Sequence, residues 1–140
     1  MKQILILFSL VVALAYCTRT IDETMEQSLP ANITGKWTLT QVQSPGYGPV
    51  GTWSAASPSG QTLAISQNGH ISGTAFPTAS AVKRMGDLGL KVVDPGVQPG
   101  YRLFNYQLDT VANILFLFIQ PADGTMCNEG CGGFRFERKD

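Results

Sequence analysis

Residues 61–75 read QTLAISQNGHISGTA, two alternating apolar and polar runs on either side of Asn68-Gly69. An Asn-Gly pair in that setting is the strongest short-range hairpin signal. A two-residue type I′ turn needs positive φ at both central positions, and Asn and Gly are the residues that supply it at least cost. The pair therefore commits its surroundings to antiparallel strands. The same pattern recurs along the chain. KWTLTQVQ (36–43) alternates, with Trp37 and Leu39 on one face, and AVKRM (81–85) and LGLKVVD (88–94) flank Gly86-Asp87. YRLFNYQLD (101–109) and ANILFLFIQ (112–120) are separated by a short polar turn, and GFRFERK (133–139) closes the chain. The spacing predicts eight strands joined by short Gly- and Pro-rich pieces.

No stretch of ten residues after the N-terminal segment keeps a helical period. Parallel strands need crossover connections, usually helices, so their absence argues for antiparallel neighbours joined in sequence. The expected fold is all-β: a small antiparallel up-and-down β-barrel of about eight strands, whose closure removes the exposed edges that invite aggregation. One stretch resists this reading. SPGYGPVGTWSAASPSG (44–60) is too rich in Gly, Pro and Ser for a regular element, and it is expected to be a compact loop held by Tyr47 and Trp53.

The N-terminus has Lys2 and then an apolar run from Ile4 to Tyr16, interrupted only by Ser9. That run is shorter than the roughly 20 residues a membrane span needs, and it matches the basic start and short apolar stretch of a secretory signal. Residues 1–16 are therefore read as a signal peptide, 17–34 (CTRTIDETMEQSLPANIT) as a flexible polar tether, and 35–140 as the folded domain. Two processing signals overlap in ALAYC. Cleavage after Ala13-Leu14-Ala15 would release a secreted or periplasmic protein. Leu14-Ala15-Tyr16-Cys17 reads instead as a lipobox, although Tyr16 fits it poorly, and would leave Cys17 lipidated at a membrane.

Cysteine arithmetic favours the second signal. Cys127 and Cys131 are spaced C-x3-C, and outside the cytoplasm the default for such a pair is a disulfide, with free thiols or a metal site as the alternatives. A metal would need two further ligands. If the two pair with each other, Cys17 is the odd cysteine of an exported protein, and lipidation accounts for it. Multiple acyl chains also anchor stably where one would be marginal. The expected location is the bacterial cell envelope, at the outer membrane, with the membrane as a partner through the N-terminal lipid.

Charge excludes one class of partner. Without Lys2 the chain carries nine Lys and Arg against ten Asp and Glu, with no basic stripe, so nucleic-acid binding has no electrostatic support. Catalysis has little more. His70 is the only histidine, it follows a turn, and no nucleophile motif accompanies it. Asp87, Asp94, Asp109 and Asp123 fall in or beside turns, where Asp ordinarily accepts from backbone N–H groups. No enzyme activity, metal or cofactor is expected. Aromatics give the positive hint of binding: Trp53, Tyr101, Phe104, Tyr106, Phe116 and Phe118 are the candidate ligand-binding residues. Phe116 and Phe118 share one face with Ile114, while Leu115, Leu117 and Ile119 share the other, so this strand is either buried on both sides or needs cover.

Gly35-Lys36-Trp37 opens the first strand as a G-x-W, and Arg138 lies near the end of the last. With ITGKWTLTQV, the GTW loop, LAISQNGHISG, YRLFNYQLD and CNEGCGGFRFER in that order, residues 33–140 resemble the lipocalins, and more closely the short lipocalin-like lipoproteins of the Bacteroidetes. The resemblance implies a guanidinium stacked on an indole at the closed end of the barrel. Parity agrees, because Phe134, Phe136 and Arg138 share a face and the first and last strands of an even-numbered up-and-down barrel are neighbours. It further implies non-catalytic binding of a small apolar ligand at the open end. The alternative function is a protein-interaction module of the envelope that uses the barrel rim and the 44–60 loop.

Overall fold

The computed structural model describes residues 28–45, 52–123 and 130–138. A single 3-10 turn, Ala31–Ile33, precedes nine strands: β1 (Gly35–Gln43), β2 (Trp53–Ala55), β3 (Thr62–Ile65), β4 (Ile71–Ser72), β5 (Ala81–Met85), β6 (Gly89–Val93), β7 (Tyr101–Asp109), β8 (Ile114–Gln120) and β9 (Gly133–Arg138). All pairings are antiparallel, in the order β4-β3-β1-β9-β8-β7-β6-β5, with β2 also on β1. β3 pairs with Gly35–Thr38 and β2 with Gln41–Gln43, so the two lie end to end along one edge of β1. Nine strands thus fill eight positions. The break between β2 and β3 is spanned by Ala56 N–H donating to Thr40 O (3.0 Å) and Leu39 N–H donating to Gln61 O (2.8 Å).

The sheet is nearly closed into a barrel. Its seam, between β4 and β5, is narrow: one bridge joins His70 to Ala81, and Val82 N–H donates to Gly69 O (2.8 Å). Period two decides what fills the interior. Trp37 and Leu39 from β1, Leu63 and Ile65 from β3, Val82, Leu90 and Val92, Phe104, Leu115 and Leu117, and Phe136 point inward and are buried. A classical-length helix would have no place in such a pattern, and none forms among the described residues.

Three expectations need correction. The hairpin at Asn68-Gly69 forms, but not through a two-residue type I′ turn. Only Gly69 has positive φ (81°), and Gly69 N–H donates to Ser66 O (3.0 Å) while Ser66 N–H donates to His70 O (2.9 Å). This is the three-residue loop, a type I turn closed by a left-handed glycine. Asn68 Oδ1 instead accepts from His70 N–H at 3.2 Å. The second correction concerns the tether, expected over 17–34. Leu29 packs against the core, and Ile33 is fully buried and accepts a hydrogen bond from the Trp37 indole N–H (3.0 Å), so residues from Leu29 onward belong to the barrel. The third is the loop 44–60, which contains β2. Tyr47 lies outside the described residues, and Trp53 is held by β8 rather than by its own loop.

That contact resolves the two-sided apolarity of β8. Leu115 and Leu117 face the core, while Phe116 and Phe118 stack on the outer face at 6.1 Å between centroids. Trp53 covers them, 5.7 Å from Phe116 and 6.2 Å from Phe118. It reaches β8 by lying across β9 at Gly133, where an added Cβ would stand 3.3 Å from the indole edge. A side chain there would lift the indole off both rings. Gly133→Val and Trp53→Ala are each expected to destabilise by about 1.5–3 kcal/mol, from lost apolar burial and ring contacts. Denaturant melts of the single and double variants check this: the double should cost clearly less than the sum, since both remove the same contact.

Candidate functional site

Strand direction assigns the two ends of the barrel. β1 runs from Trp37 to Gln43 and β9 runs antiparallel beside it to Arg138, with Trp37 opposite Arg138. That end also carries the turns after β3, β5 and β7. The loops 73–80 and 94–100, and the beginnings of β7 and β9, lie at the other end.

At the first end the Arg138 guanidinium sits over the Trp37 ring, 4.5 Å from its centroid. Arg138 Nη2 donates to Asn32 O (2.6 Å), and Arg138 N–H to Asn113 O (3.0 Å). Its Nε is buried with no hydrogen-bond partner among the described residues, so the π face is the electrostatic complement of this part of the cation. Gly35 makes room. It has φ of 127°, which disfavours any side chain, and a Cβ there would lie 3.4 Å from Arg138 Nη1. The G-x-W spacing therefore has a local cause: the glycine lets the guanidinium lie flat against the indole two residues on.

At the other end a loop enters the barrel. Phe76, from the 73–80 connection, is buried among Phe104, Phe134 and Phe136 at 5.7, 5.3 and 6.2 Å between centroids. It packs edge-on to Phe134 and tilted against the other two, arrangements that suit the ring quadrupole. Asp94, fully buried at the end of β6, holds this loop in place. Its carboxylate accepts from the Thr78 hydroxyl, from Gly96 N–H (3.2 Å) and from Arg102 Nε (2.7 Å). The Arg102 guanidinium in turn lies over the Phe76 ring at 5.5 Å. Thr78 and Phe76 are thereby tied to one ion pair, buried at its carboxylate and partly exposed at its guanidinium.

Burial pushes the Asp94 carboxyl up, but the donations from Thr78, Arg102 and Gly96 and the Arg102 charge outweigh it and hold its pKa below the ordinary value of 3.8. A depressed pKa in the folded state means the carboxylate stabilises fully above that ordinary value, and the contribution is lost as the pH falls through the folded one.

A pocket of about 220 Å³ opens beside this ion pair, lined by Arg102, Phe104 and Ile119, with Val97, Tyr101 and Gln120 among the residues around its rim. A second space, about 240 Å³, lies outside the barrel seam between Leu29, the Asn68-Gly69 turn and Val82.

The six candidate aromatics are not brought together. Phe104 and Tyr106 face inward, Phe104 within the Phe76 cluster. Trp53, Phe116 and Phe118 form the outer patch. Tyr101 has the opposite parity to Phe104, with Lys91 Nζ 4.4 Å over its ring, and is among the residues that line the pocket. Six residues lining one cavity is therefore not what the strands permit. Cys131 precedes Gly132 and β9, whereas Cys127 and Cys17 lie outside the described residues. His70 is exposed in its turn, and among the described residues no three His, Cys, Asp or Glu side chains cluster as metal ligands would. Asp109 behaves as a turn residue, accepting from Val111 and Ala112 N–H at 3.0 and 2.9 Å.

Sequence reasoning treated Asp94 as one more turn aspartate and passed over Phe76, Thr78 and Arg102. One signal was present. Arg102 has the parity of Phe104 and Tyr106, so it points inward, and an inward arginine in an apolar barrel requires an acidic partner. Comparison with protein-family models, curated proteins and solved structures finds no match for this chain. Asp94→Asn is expected to cost about 1.5–3 kcal/mol at pH 7, the scale of hydrogen bonds to a charged group. It should also flatten the loss of stability as the pH falls below about 4, where the unfolded carboxyl takes up a proton before the folded one does. Thermal melts of both proteins across that range check it; parallel curves would show that Asp94 does not drive the acid transition.

Proposed function

We propose that this chain is a non-catalytic lipoprotein of the bacterial cell envelope that binds a small, largely apolar ligand at the open end of a lipocalin-like barrel. The observation that carries the reading is the pocket beside Arg102, concave and floored by Phe104 and Ile119, in the class of end where barrels hold ligands. Its volume falls below the roughly 300–1,000 Å³ of drug-sized sites, so the ligand is small. Phe76 already occupies the middle of the barrel, which confines the ligand to the rim unless loop 73–80 withdraws. In this reading Cys17 carries the lipid, residues 18–27 connect it to the barrel, and a Cys127–Cys131 disulfide fixes the approach to β9.

A second reading rests on a different observation. Trp53, Phe116 and Phe118 form an outer aromatic patch beside the rim, and an envelope protein docking on the rim and the 44–60 loop would use it. Native mass spectrometry of the protein extracted from its own membrane separates the two. A co-purified small molecule is the expected result; a stoichiometric protein partner without one would transfer the function to the second reading, and bare protein would count against both. Cys17→Ser is expected to move the chain from the membrane to the soluble fraction on cell fractionation. Retention at the membrane would remove the lipid anchor from the proposal.

A further inference from the structure

The pocket beside the Asp94–Arg102 pair has a chemistry of its own, more specific than an apolar recess. Its lining includes Phe104, Ile119 and Val97, and among the described residues none that lines it is acidic. Among the described residues its single cation is Arg102, about a third exposed, while the partner Asp94 is wholly buried. Asp94 takes only Nε. Among the described residues Nη1 and Nη2 make no hydrogen bond, and neither is a buried orphan, so both are reached from solvent. Phe76 beneath the guanidinium and Asp94 behind it fix the plane of the fork before anything binds.

We infer that this pocket is a site for a small amphipathic carboxylate, with the carboxylate on the outer edge of Arg102 and a short apolar chain over Phe104 and Ile119. This rests on the ligand-binding reading above and adds the class of ligand. Three features point to it. The two terminal nitrogens of one guanidinium match the two oxygens of one carboxylate in a bidentate pair, whereas a phosphate dianion would call for further cations. The Asp94 charge lies on the far side of the guanidinium, so an anion on the outer edge is closer to the cation than to the buried acid. The volume, about 220 Å³, is below the roughly 300–1,000 Å³ of drug-sized sites and so suits a short-chain acid.

The test uses the processed chain purified from cells, titrated with hexanoate, 1-hexanol and hexylamine, and read by the backbone amide shifts of Val97, Arg102, Phe104 and Ile119. Hexanoate is expected to bind at least about tenfold more tightly than 1-hexanol, with hexylamine weakest, and the hexanoate shifts should cluster at those four residues. In Arg102→Lys, which keeps the charge but loses the fork, the preference for hexanoate over hexanol should shrink severalfold. Equal affinity for acid and alcohol would overturn the carboxylate assignment and leave an apolar pocket standing. Shifts for neither ligand up to tens of millimolar would overturn both the assignment and the ligand-binding reading beneath it. The comparison of ligands on the unmodified protein is decisive even if Arg102→Lys fails to fold.

Discussion

The pairing of β1 with β9 is the constraint on which the rest of this structure depends. The other pairings join strands nearer in the chain, the longest connections being residues 44–61 between β1 and β3 and residues 121–132 between β8 and β9. β1 and β9 instead bring residues some 95 positions apart into register, as in the pairing of Gln41 with Arg135, beside which Thr40 Oγ1 donates to Arg135 O. Without that pairing the hairpins β5-β6-β7-β8-β9 and β1-β3-β4 would be two open sheets, each with free edges. Loop-closure entropy grows only slowly with length, so the cost of this one long-range ladder is moderate. The gain is the enclosed interior. The Arg138–Trp37 stack acts at the end of the same ladder and sews the 3-10 turn, through Asn32 and Ile33, onto the closed end.

Much of this was legible because a strand has one rule, and the rule survives without a structure. Alternation placed Trp37 with Leu39, and Phe134 with Phe136 and Arg138, on shared faces, and it found eight of the nine strands to within a few residues, with β4 reduced to two. What it could not place was anything decided across strands. The Asn68-Gly69 turn was recognised as a hairpin but not as a three-residue loop, because the choice depends on the pairing of Ser66 with His70. β2 was invisible for the same reason: Trp53-Ser54-Ala55 has no pattern of its own, and it is extended because β1 outruns β3 and leaves an edge to be covered. Gly133 was readable only once Trp53 was seen lying over it.

The candidate site was less legible than the fold, and the cause is specific. Aromaticity does not mark binding residues in this chain, because period two splits the candidate aromatics between the interior and the outer face. The side chains that shape the open end are instead a phenylalanine and a threonine on a connecting loop, an aspartate after a strand and an arginine inside the barrel. None of these residue types is notable alone. Their relation is notable, because a fully buried Asp94 requires partners, and the chain supplies three from separate segments.

That relation also bears on where a barrel of so few residues leaves room for the proposed site. Eight positions with short strands enclose little volume, and here the middle is taken by Phe76. A chain of this size gains stability from a filled interior, since a void forfeits dispersion contacts. Among the described residues, space is left where that filling stops, at the level of Arg102. There the plug loop and the ion pair perform two tasks with one set of contacts: Thr78 and Phe76 seal the core beneath, and the same carboxylate and ring hold the guanidinium in a fixed plane above. A buried acid that takes only the Nε of an arginine leaves its outer edge oriented and solvated, which lowers the ordering cost of receiving an acceptor there. Stability of the plug and readiness of the site are therefore coupled through Asp94, and a change that loosens one should be felt in the other.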